Sequence, residues 1–487
     1  MSLPAIPELS DEEHALVVRL TKQLNDHRRG NGLRTSLYGA KHRVRNLGVV
    51  DLRRYSRTAS VIGWPAKAVD ALAARTRLQG VVPIGGTAGL RVDEMMRENR
   101  IVLEVSSAIT SAFLHGVSFL VSVRGEDGEP DGLLLAVDAE SGTGDWDPRS
   151  RRMSSFLHVS RRSKSGYPDA FTLYLPSEIV TVTRDGVEWS VTRADGDDIV
   201  PVEPLVYRYR TGKPMGSSRI TPVVVGLTEA AMRVCARLEG QSDVYSIPHM
   251  LLLGATAEAL RSEQGGAAWR LGIGKVLGLP DDDDPNNENP RASVQMIQAA
   301  SPDPHLAQLK QYAQLFSGES SIPVTSLGVS DMANPTSAES YVASREDLIA
   351  EAETAMDTMS PAIERAVART LAYYQGVDVP DDAWGLRAKW YSPAHTSRAA
   401  AADAGAKIIG SVPWLADTDV ALDLVGMDPD LVERAIAERG AARARSLLDT
   451  VLTTRMQEGT NDGADDTDTA DAAAPDDAGP VSADPSA

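Results

Sequence analysis

A helical pattern of unusual length, in the last third of the chain, limits what this sequence can fold into. Thr336 and Glu339 form a capping box, and from residue 338 to about residue 375 the apolar side chains repeat at helical spacing on one side. At about 1.5 Å per residue such a helix would be on the order of 55 Å long, more than the width of a small compact domain. Pro361 lies inside the pattern, and because proline removes one backbone hydrogen bond and crowds the preceding turn, we expect a kink there. The subunit is therefore expected to be elongated.

Shorter helical patterns are spread over the rest of the chain. The first starts at a capping box formed by Ser10 and Glu13, and Gly30 is its expected end. A helix over residues 221–240 presents an apolar side that needs a partner. The other helical segments cover residues 93–116, 305–317, 397–409 and 428–456.

The region between residues 117 and 192 predicts β-structure. Short β-prone runs are separated by turn residues, and Asp185-Gly186 is a dipeptide typical of two-residue hairpin turns. The runs cover residues 117–123, 133–137, 156–160, 171–175, 179–183 and 187–192. The simplest account is an antiparallel sheet region within an α+β fold.

Size, charge and cysteine content restrict the class of protein. A chain of 487 residues is longer than one hydrophobic core usually supports, so several domains or parts are expected. The net charge of -19 argues against a protein that grips DNA phosphates over a basic surface. Cys235 is the only cysteine, which excludes an intramolecular disulfide, and neither a signal peptide nor an apolar run of membrane-spanning length is found. We expect a protein that is neither secreted nor bound to a membrane.

Two segments depart from the average charge. Residues 457–487 contain nine acidic and no basic residues and few large apolar ones, so we expect a disordered acidic tail. Residues 28–57 are rich in arginine and lysine instead. This basic stretch fits a solvated surface or subunit contact, and it also fits a contact with capsid, scaffold or DNA. The sequence does not decide between these alternatives.

No catalytic or cofactor-binding constellation is found in the sequence. The stretch around Lys275 has Trp269 in place of the first glycine of a phosphate loop and Val276 in place of the hydroxyl residue that binds magnesium. The eight histidines show no zinc-hydrolase spacing, and no Gly-x-Ser-x-Gly pentapeptide occurs. We therefore expect no cofactor, no metal and no enzymatic activity.

Two irregular segments are notable for their composition. One segment contains a run of four aspartates, which should lie in solvent because their negative charges repel one another. They are Asp281, Asp282, Asp283 and Asp284. Residues 322–336 follow no helical period and contain Gly328 and Pro335, which is typical of a functional loop.

The order of these segments resembles the portal proteins of tailed phages that infect actinobacteria. The stretches that carry the resemblance are WDPRSRRMSSFLHV at 146–159, GKPMGSSRITPVVVGLTEAAMR at 212–233, YSIPHMLLLG at 245–254, and residues 301–340 with SSIPVTSLGVSDMANPTSAES at their end. The resemblance covers nearly all of the chain before the tail. It implies an elongated portal fold with parts called wing, stem, clip and crown.

The resemblance divides the chain by position. It assigns residues 1–215 to the wing, 216–244 to the first stem helix, 245–300 to the clip, 301–318 to the second stem helix, 319–337 to the tunnel loop, 338–395 to the long kinked helix and wing return, 396–456 to the crown helices and 457–487 to the tail. It implies that Ser330, Asp331 and Asn334 of the tunnel loop touch the DNA backbone without strong attraction. Gly328 and Pro335 of the same loop would permit and constrain its bending. It also implies that Asp281 to Asp284 in the clip dock an adaptor.

The implied function is a ring-shaped channel at one vertex of the capsid, for packaging and ejection of double-stranded DNA. The expected partners are eleven further copies of the chain in a ring of about twelve, the terminase large subunit, the head-tail adaptor, the major capsid and scaffolding proteins, and DNA that passes without sequence specificity. The ring is expected at the portal vertex of the virion after assembly in the host cytoplasm. An acidic channel would repel DNA, which carries about one negative charge per 1.7 Å, and so allow it to slide.

Two other functions remain open at this point. A minor head protein or adaptor would assemble without a DNA-wide axial hole. A cytoplasmic hydrolase would be a small oligomer with converging acids and bases in a pocket, and the sequence shows no such pairing.

Overall fold

The chain folds into two compact units, Met1–Ala394 and His395–Ala487. The computed structural model describes residues 6–43, 62–84, 91–164, 166–245, 249–253, 293–297, 300–329, 345–379, 385–394, 398–418, 420–427 and 429–461. No helix within these residues is long and apolar enough to cross a membrane.

The first unit contains seven α-helices among its described residues. They are α1 (Asp11–Tyr38), α2 (Trp64–Ala73), α3 (Val92–Glu98), α4 (Ile101–His115), α5 (Pro222–Tyr245), α6 (Asp303–Ser320) and α7 (Glu346–Gln375). A short 3-10 helix follows α6 at Val324–Leu327.

The described strands also belong to the first unit, and they form four antiparallel sheets. They are β1 (Leu78–Pro83), β2 (Val117–Arg124), β3 (Gly132–Asp138), β4 (Gly142–Asp147), β5 (Arg152–Arg162), β6 (Pro168–Leu175), β7 (Glu178–Asp185), β8 (Glu188–Asp195), β9 (Val202–Val206), β10 (His249–Leu253), β11 (Ser293–Ile297) and β12 (Leu386–Trp390). The sheets have the strand orders β1-β12, β10-β11, β3-β2-β9 and β4-β5-β6-β7-β8.

The second unit is helical in its described part. It contains α8 (Arg398–Ser411), a 3-10 helix at Pro413–Asp417, α9 (Val420–Leu424) and α10 (Pro429–Asn461). The last helix extends to Asn461, beyond residue 456 where the sequence pattern ends.

The two larger sheets form the middle of a layered structure. Alternate residues of a strand point to opposite faces, so Leu157 and Leu173 of the five-stranded sheet face α1, whereas Phe156 and Tyr174 face the three-stranded sheet. The ring centroids of Phe156 and Phe119 on β2 are 4.7 Å apart. The opposite face of the three-stranded sheet packs on α4 and α7, and a buried core follows these helices to α2, α5 and α6. The four layers are therefore α1, the five-stranded sheet, the three-stranded sheet, and the helices.

The predicted α+β class and antiparallel pairing are confirmed. The hairpin at Asp185-Gly186 forms as expected, with Asp185 paired to Glu188 and Gly186 at a φ of 64°. Six strands were not predicted from the sequence: β1, β4, β9, β10, β11 and β12. β9 contains Pro204, which is accepted because β9 is an edge strand, and β4 contains Gly144, where a Cβ would lie 2.2 Å from the carbonyl oxygen of Ser155.

Three predictions of helix extent are wrong. The long helix begins at Glu346 and not at residue 338, and its predicted capping box of Thr336 and Glu339 lies outside the described residues. The first helix does not end at Gly30 but continues to Tyr38, because the residues after Gly30 are packed: Asn31 is buried and its Nδ2 donates to the carbonyl of Ala139 at 3.1 Å. The predicted helix over residues 93–116 is divided into α3 and α4. Arg100 adopts a φ of 50° at the break, and the side chain of Asn99 accepts a hydrogen bond from the backbone of Leu134.

The start of α1 is held to the five-stranded sheet by an ion pair that depends on pH. The predicted capping box of Ser10 and Glu13 is present, and Arg193 on β8 donates to both carboxylate oxygens of Glu13 at 2.7 and 2.9 Å. The hydrogen bond from Arg193 lowers the pKa of Glu13 from 4.5 to about 2. This stabilisation is therefore complete above about pH 4.5 and is lost as the pH falls towards 2.

We expect Glu13→Gln to lower the free energy of unfolding by about 1.5–3 kcal/mol at pH 7, because a charge-assisted contact is lost. The difference from the wild type should shrink steadily as the pH is lowered below 4.5. Urea unfolding of both proteins between pH 7 and pH 3.5 measures it. Glu12→Gln, an exposed change on the same turn, is the control. A difference that does not vary with pH would contradict the assignment.

Candidate functional site

Two helices of the first unit pair along their length and form the clearest candidate for a functional element. The first residues of α5 lie beside the last of α6, since Thr221 Oγ1 donates to Glu319 at 2.9 Å. At the opposite ends Gln241 Nε2 donates to the carbonyl of Ala300 at 2.8 Å. The helices are therefore antiparallel. We call α5 and α6 together the helix pair.

The two helices of the pair pack together through apolar residues in the half nearer the base. The base is the end that holds Thr221 and Glu319. Ala231 and Met232 of α5 and Ala313 and Phe316 of α6 are buried in one core. Phe316 also contacts Trp64 of α2, with ring centroids 5.3 Å apart. The far end continues into β10 and β11, which pair from His249–Ile297 to Leu253–Ser293. The helix predicted over residues 221–240 thus packs its apolar side on the helix predicted over residues 305–317.

A buried arginine fixes the base of the helix pair to the body of the unit. Arg219 lies just before α5, and its side chain is 1% exposed. Its guanidinium donates to the carbonyl of Ala68 on α2 at 2.7 Å, to the carbonyl of Ser320 at the end of α6 at 2.6 Å, and to the hydroxyl of Tyr207 at 3.1 Å. It also forms an ion pair with Glu351 on α7. We call Arg219 and these partners the arginine anchor.

The charges of the arginine anchor are matched inside the protein. Burial opposes the ionisation of Glu351, but Arg219, Tyr207 and Arg208 stabilise the carboxylate more strongly and hold its pKa below its ordinary value. Burial is also the main cause that raises the pKa of Tyr207 to about 12, so this hydroxyl remains a hydrogen-bond donor to Glu351. The anchor is therefore an ionised and hydrogen-bonded junction of α2, α5, α6 and α7.

A second buried ion pair fixes α7 to the three-stranded sheet. Glu203 on β9 has a side chain that is 4% exposed, and its two oxygens receive Arg365 at 2.9 Å and Arg369 at 3.2 Å. The hydroxyl of Ser122 on β2 donates to the carbonyl of Ala366 at 3.1 Å. We call Glu203 with the two arginines the sheet lock. It holds α7 about four turns beyond Glu351.

Pro361, the predicted kink, lies within α7 between the arginine anchor and the sheet lock. Its neighbour Ser360 donates to the carbonyl of Met356 at 2.7 Å and accepts a hydrogen bond from Trp390 of β12 at 2.9 Å. Proline is exposed on the outer side of the helix there. The kink itself remains a prediction.

The predicted tunnel-loop and clip residues are only partly covered by the structure. Gly328 is described: it ends the 3-10 helix with a φ of 77°, a conformation that favours glycine. The other four tunnel-loop residues, Ser330, Asp331, Asn334 and Pro335, lie outside the described residues, as do Asp281, Asp282, Asp283 and Asp284. Their roles therefore stay predictions.

The described residues contain no group of three or more histidine, cysteine or acidic side chains that could hold a metal ion. Cys235 is half-buried on α5, and burial raises the pKa of its thiol.

Sequence reasoning did not find the arginine anchor or the sheet lock. Their only signal is an arginine or glutamate within an apolar segment, which is too common to be specific.

Comparison with known proteins identifies the family. Residues 24–414 match the family described as "Phage portal protein, SPP1 Gp6-like", so the chain belongs to this family of phage portal proteins. It is accordingly a structural component of the phage particle and not an enzyme.

Two curated relatives carry the name Portal protein. The chain is 26% identical over 419 residues to the protein of Mycobacterium phage L5, and this match covers 83% of the chain and 84% of the relative. It is 26% identical over 422 residues to that of Mycobacterium phage D29, which covers 84% of each. Similar solved structures include the virion of a native gene transfer agent particle, with 15% identity, a TM-score of 0.41 and coverage of 82% of this chain and 99% of that one. Another is the neck of that native particle computed with C12 symmetry, with 14% identity, a TM-score of 0.39 and the same coverage.

Proposed function

We propose that copies of this chain form a ring, expected to contain twelve subunits, around a channel through which double-stranded DNA enters and leaves the capsid. The observation that carries the proposal is the antiparallel helix pair with its buried arginine anchor. Two helices fixed at one end to a layered body are suited to form one segment of a wall that is repeated around an axis. Membership of the portal family supports this role above that of a minor head protein, an adaptor or a hydrolase.

The regions keep the assignment expected from the sequence. In this proposal the layered body is the wing, the helix pair is the stem, β10 and β11 belong to the clip, and residues 396–456 of the second unit form the crown. The proposed tunnel loop, residues 319–337, starts with the last two residues of α6, and the chain ends in an acidic tail. The ring assembles in the host cytoplasm and is then built into the capsid with scaffolding and major capsid proteins.

The net charge of -19 supports passage of DNA without tight binding. Strong binding to phosphates requires several lysine or arginine contacts that release counterions. An acidic ring would supply few of these along its axis, so the duplex could slide. Recognition of a particular DNA sequence is not needed for this function.

Imaging and mass measurement of the purified chain test the proposal. We expect rings with an axial hole wider than a DNA duplex in negative-stain images, and a particle mass twelve times that of the 52.1 kDa chain. A monomer or a closed oligomer without an axial hole would refute it.

The four clip aspartates are proposed to contact the terminase and, later, the head-tail adaptor. We expect deletion of Asp281 to Asp284 to weaken adaptor binding while rings still form. Pull-down of the adaptor measures the first effect, and particle mass measures the second. Dispersed subunits in the deletion variant, or unchanged adaptor binding, would contradict this role.

The tunnel loop is proposed to touch passing DNA through weakly attractive groups. We expect Asp331→Lys to slow packaging, because a ring of added positive charges would hold phosphates. The length of DNA packaged per unit time measures this effect, with Asp331→Asn as the uncharged control. Packaging and DNA retention that equal those of the wild type would count against a DNA-facing loop.

A further inference from the structure

A cavity of about 410 Å³ lies between the C-terminal half of α1, the start of β4 and the turn that precedes α5. All of its lining residues belong to the first unit. Leu24, Val117 and Phe119 form an apolar floor. The polar part of the lining includes His27, Asn31, Arg34, His115 and Lys213.

The cavity has an unusual charge for this protein. The chain has 68 acidic against 49 basic residues, yet the lining contains arginine, lysine and histidine and no aspartate or glutamate. Arg34 and Lys213 come from elements far apart in sequence, α1 and the 213–217 turn. Their convergence around one opening produces a local positive potential that the net charge conceals.

Neither cation is neutralised within the described part of the chain. Nη1 of Arg34 donates to Oδ1 of Asn31 at 2.9 Å and to the carbonyl of His115 at 3.4 Å, and no carboxylate among the described residues pairs with this guanidinium. Burial lowers the pKa of Arg34, yet an arginine stays protonated at neutral pH. Lys213 is exposed at the rim and forms no ion pair with a described residue.

One of the lining residues, His115, has an unsatisfied ring nitrogen. The residue is 8% exposed, and its Nδ1 is buried without a hydrogen-bond partner among the described residues. Burial lowers the pKa of His115 to about 4, so its ring is neutral at pH 7 and can donate one N–H. An unpaired buried nitrogen is unfavourable, and an oxygen atom of a ligand would satisfy it.

The acidic side chain that acts on His115 does not line the cavity. Asp138 acts on His115 only through its charge and is not a lining residue. Its Oδ1 already accepts hydrogen bonds from the backbone of Glu140 at 3.1 Å and of Ser141 at 2.8 Å. This oxygen is thus occupied by its own turn.

We propose that this cavity is a binding site for a phosphate-type oxyanion. Two cations match the charge of a phosphate dianion and also attract the single charge of a phosphodiester. The donors of Arg34, His115 and Lys213 come from three different elements, which suits a tetrahedral group whose oxygens point in several directions better than a planar carboxylate. The source of the phosphate is either inorganic phosphate or a phosphodiester of DNA. If the layered body is the wing, as proposed above, the site gives part of the basic stretch at residues 28–57, through Arg34, a binding role outside the channel.

Calorimetric titration of the purified full-length chain with inorganic phosphate at pH 7.5 and constant ionic strength tests the site. We expect saturable binding, and we expect Lys213→Gln to raise the Kd about tenfold because one charge-assisted contact is lost. Lys22→Gln removes the same charge from an exposed position on α1 outside the lining and should leave the Kd unchanged. Arg34→Gln is a second test, with circular dichroism to verify folding.

Competition distinguishes the two sources. If a short DNA duplex displaces phosphate from the wild type but binds Lys213→Gln more weakly, the ligand is a phosphodiester. If it does not displace phosphate, the ligand is the free ion. The proposal is refuted if phosphate shows no saturable binding, if acetate binds as tightly, or if Lys213→Gln and Lys22→Gln have the same Kd. None of these outcomes depends on ring formation, so the site can fail while the channel function stands.

Discussion

Arg219→Met is expected to lower the free energy of unfolding of the first unit by about 3–5 kcal/mol, since removal of one partner of a buried ion pair leaves an uncompensated charge. The charge left behind is that of Glu351, and the carbonyl groups of Ala68 and Ser320 lose their donor at the same time. The shift of the urea unfolding midpoint against the wild type measures the effect. Because the anchor joins both helices of the pair to α7, we also expect fewer complete rings.

The control for this prediction uses the same carboxylate. Arg208 also binds Glu351, at 3.0 Å, but its side chain is 39% exposed, so Arg208→Met should cost no more than about 1 kcal/mol. A double variant, Arg219→Met with Glu351→Leu, should recover part of the loss because no buried charge remains. If Arg208→Met and Arg219→Met destabilise equally, burial of the anchor is not what stabilises the junction.

Glu203→Gln is expected to have an effect of similar size, about 3–5 kcal/mol, because the sheet lock would lose its only carboxylate while Arg369 stays buried. The amide keeps the shape of the side chain, so the change isolates the charge. The same urea titration measures it. Glu94→Gln is the control, since Glu94 pairs with Arg91 on the exposed surface of α3, and it should leave the midpoint unchanged. A midpoint for Glu203→Gln that equals that of the control would show that the lock contributes nothing.

The sequence pattern predicted those helices and strands whose apolar side chains repeat at a regular spacing. The helix pair could be expected, because α5 and α6 each show an apolar side and the resemblance to portal proteins makes them neighbours. The end of α1 could not, because Gly30 is a valid stop signal and only the burial of Asn31 against Ala139 overrides it. In the same way Pro204 argues against a strand until β9 is known to be an edge.

The functional contacts were harder to predict than the elements. Arg219 and Glu351 are far apart in sequence, and a bond between them exists only after α2, α6 and α7 have packed. The phosphate cavity likewise combines Arg34 with Lys213, and nothing in either segment indicates the other. Sequence pattern describes single elements, whereas these sites arise where several of them meet.

The two ion-pair junctions on α7 have opposite polarity, and this restricts how the helix can move. At the arginine anchor α7 provides the carboxylate, Glu351, and at the sheet lock it provides the arginines, Arg365 and Arg369. The two junctions are about 21 Å apart along the helix, and a slide of one turn, about 5.4 Å, would separate both sets of charges at once. A slide of α7 along the helix pair would therefore also break its contact with β9. We expect a displacement of α7 to carry the edge strand β9 and the base of the helix pair with it.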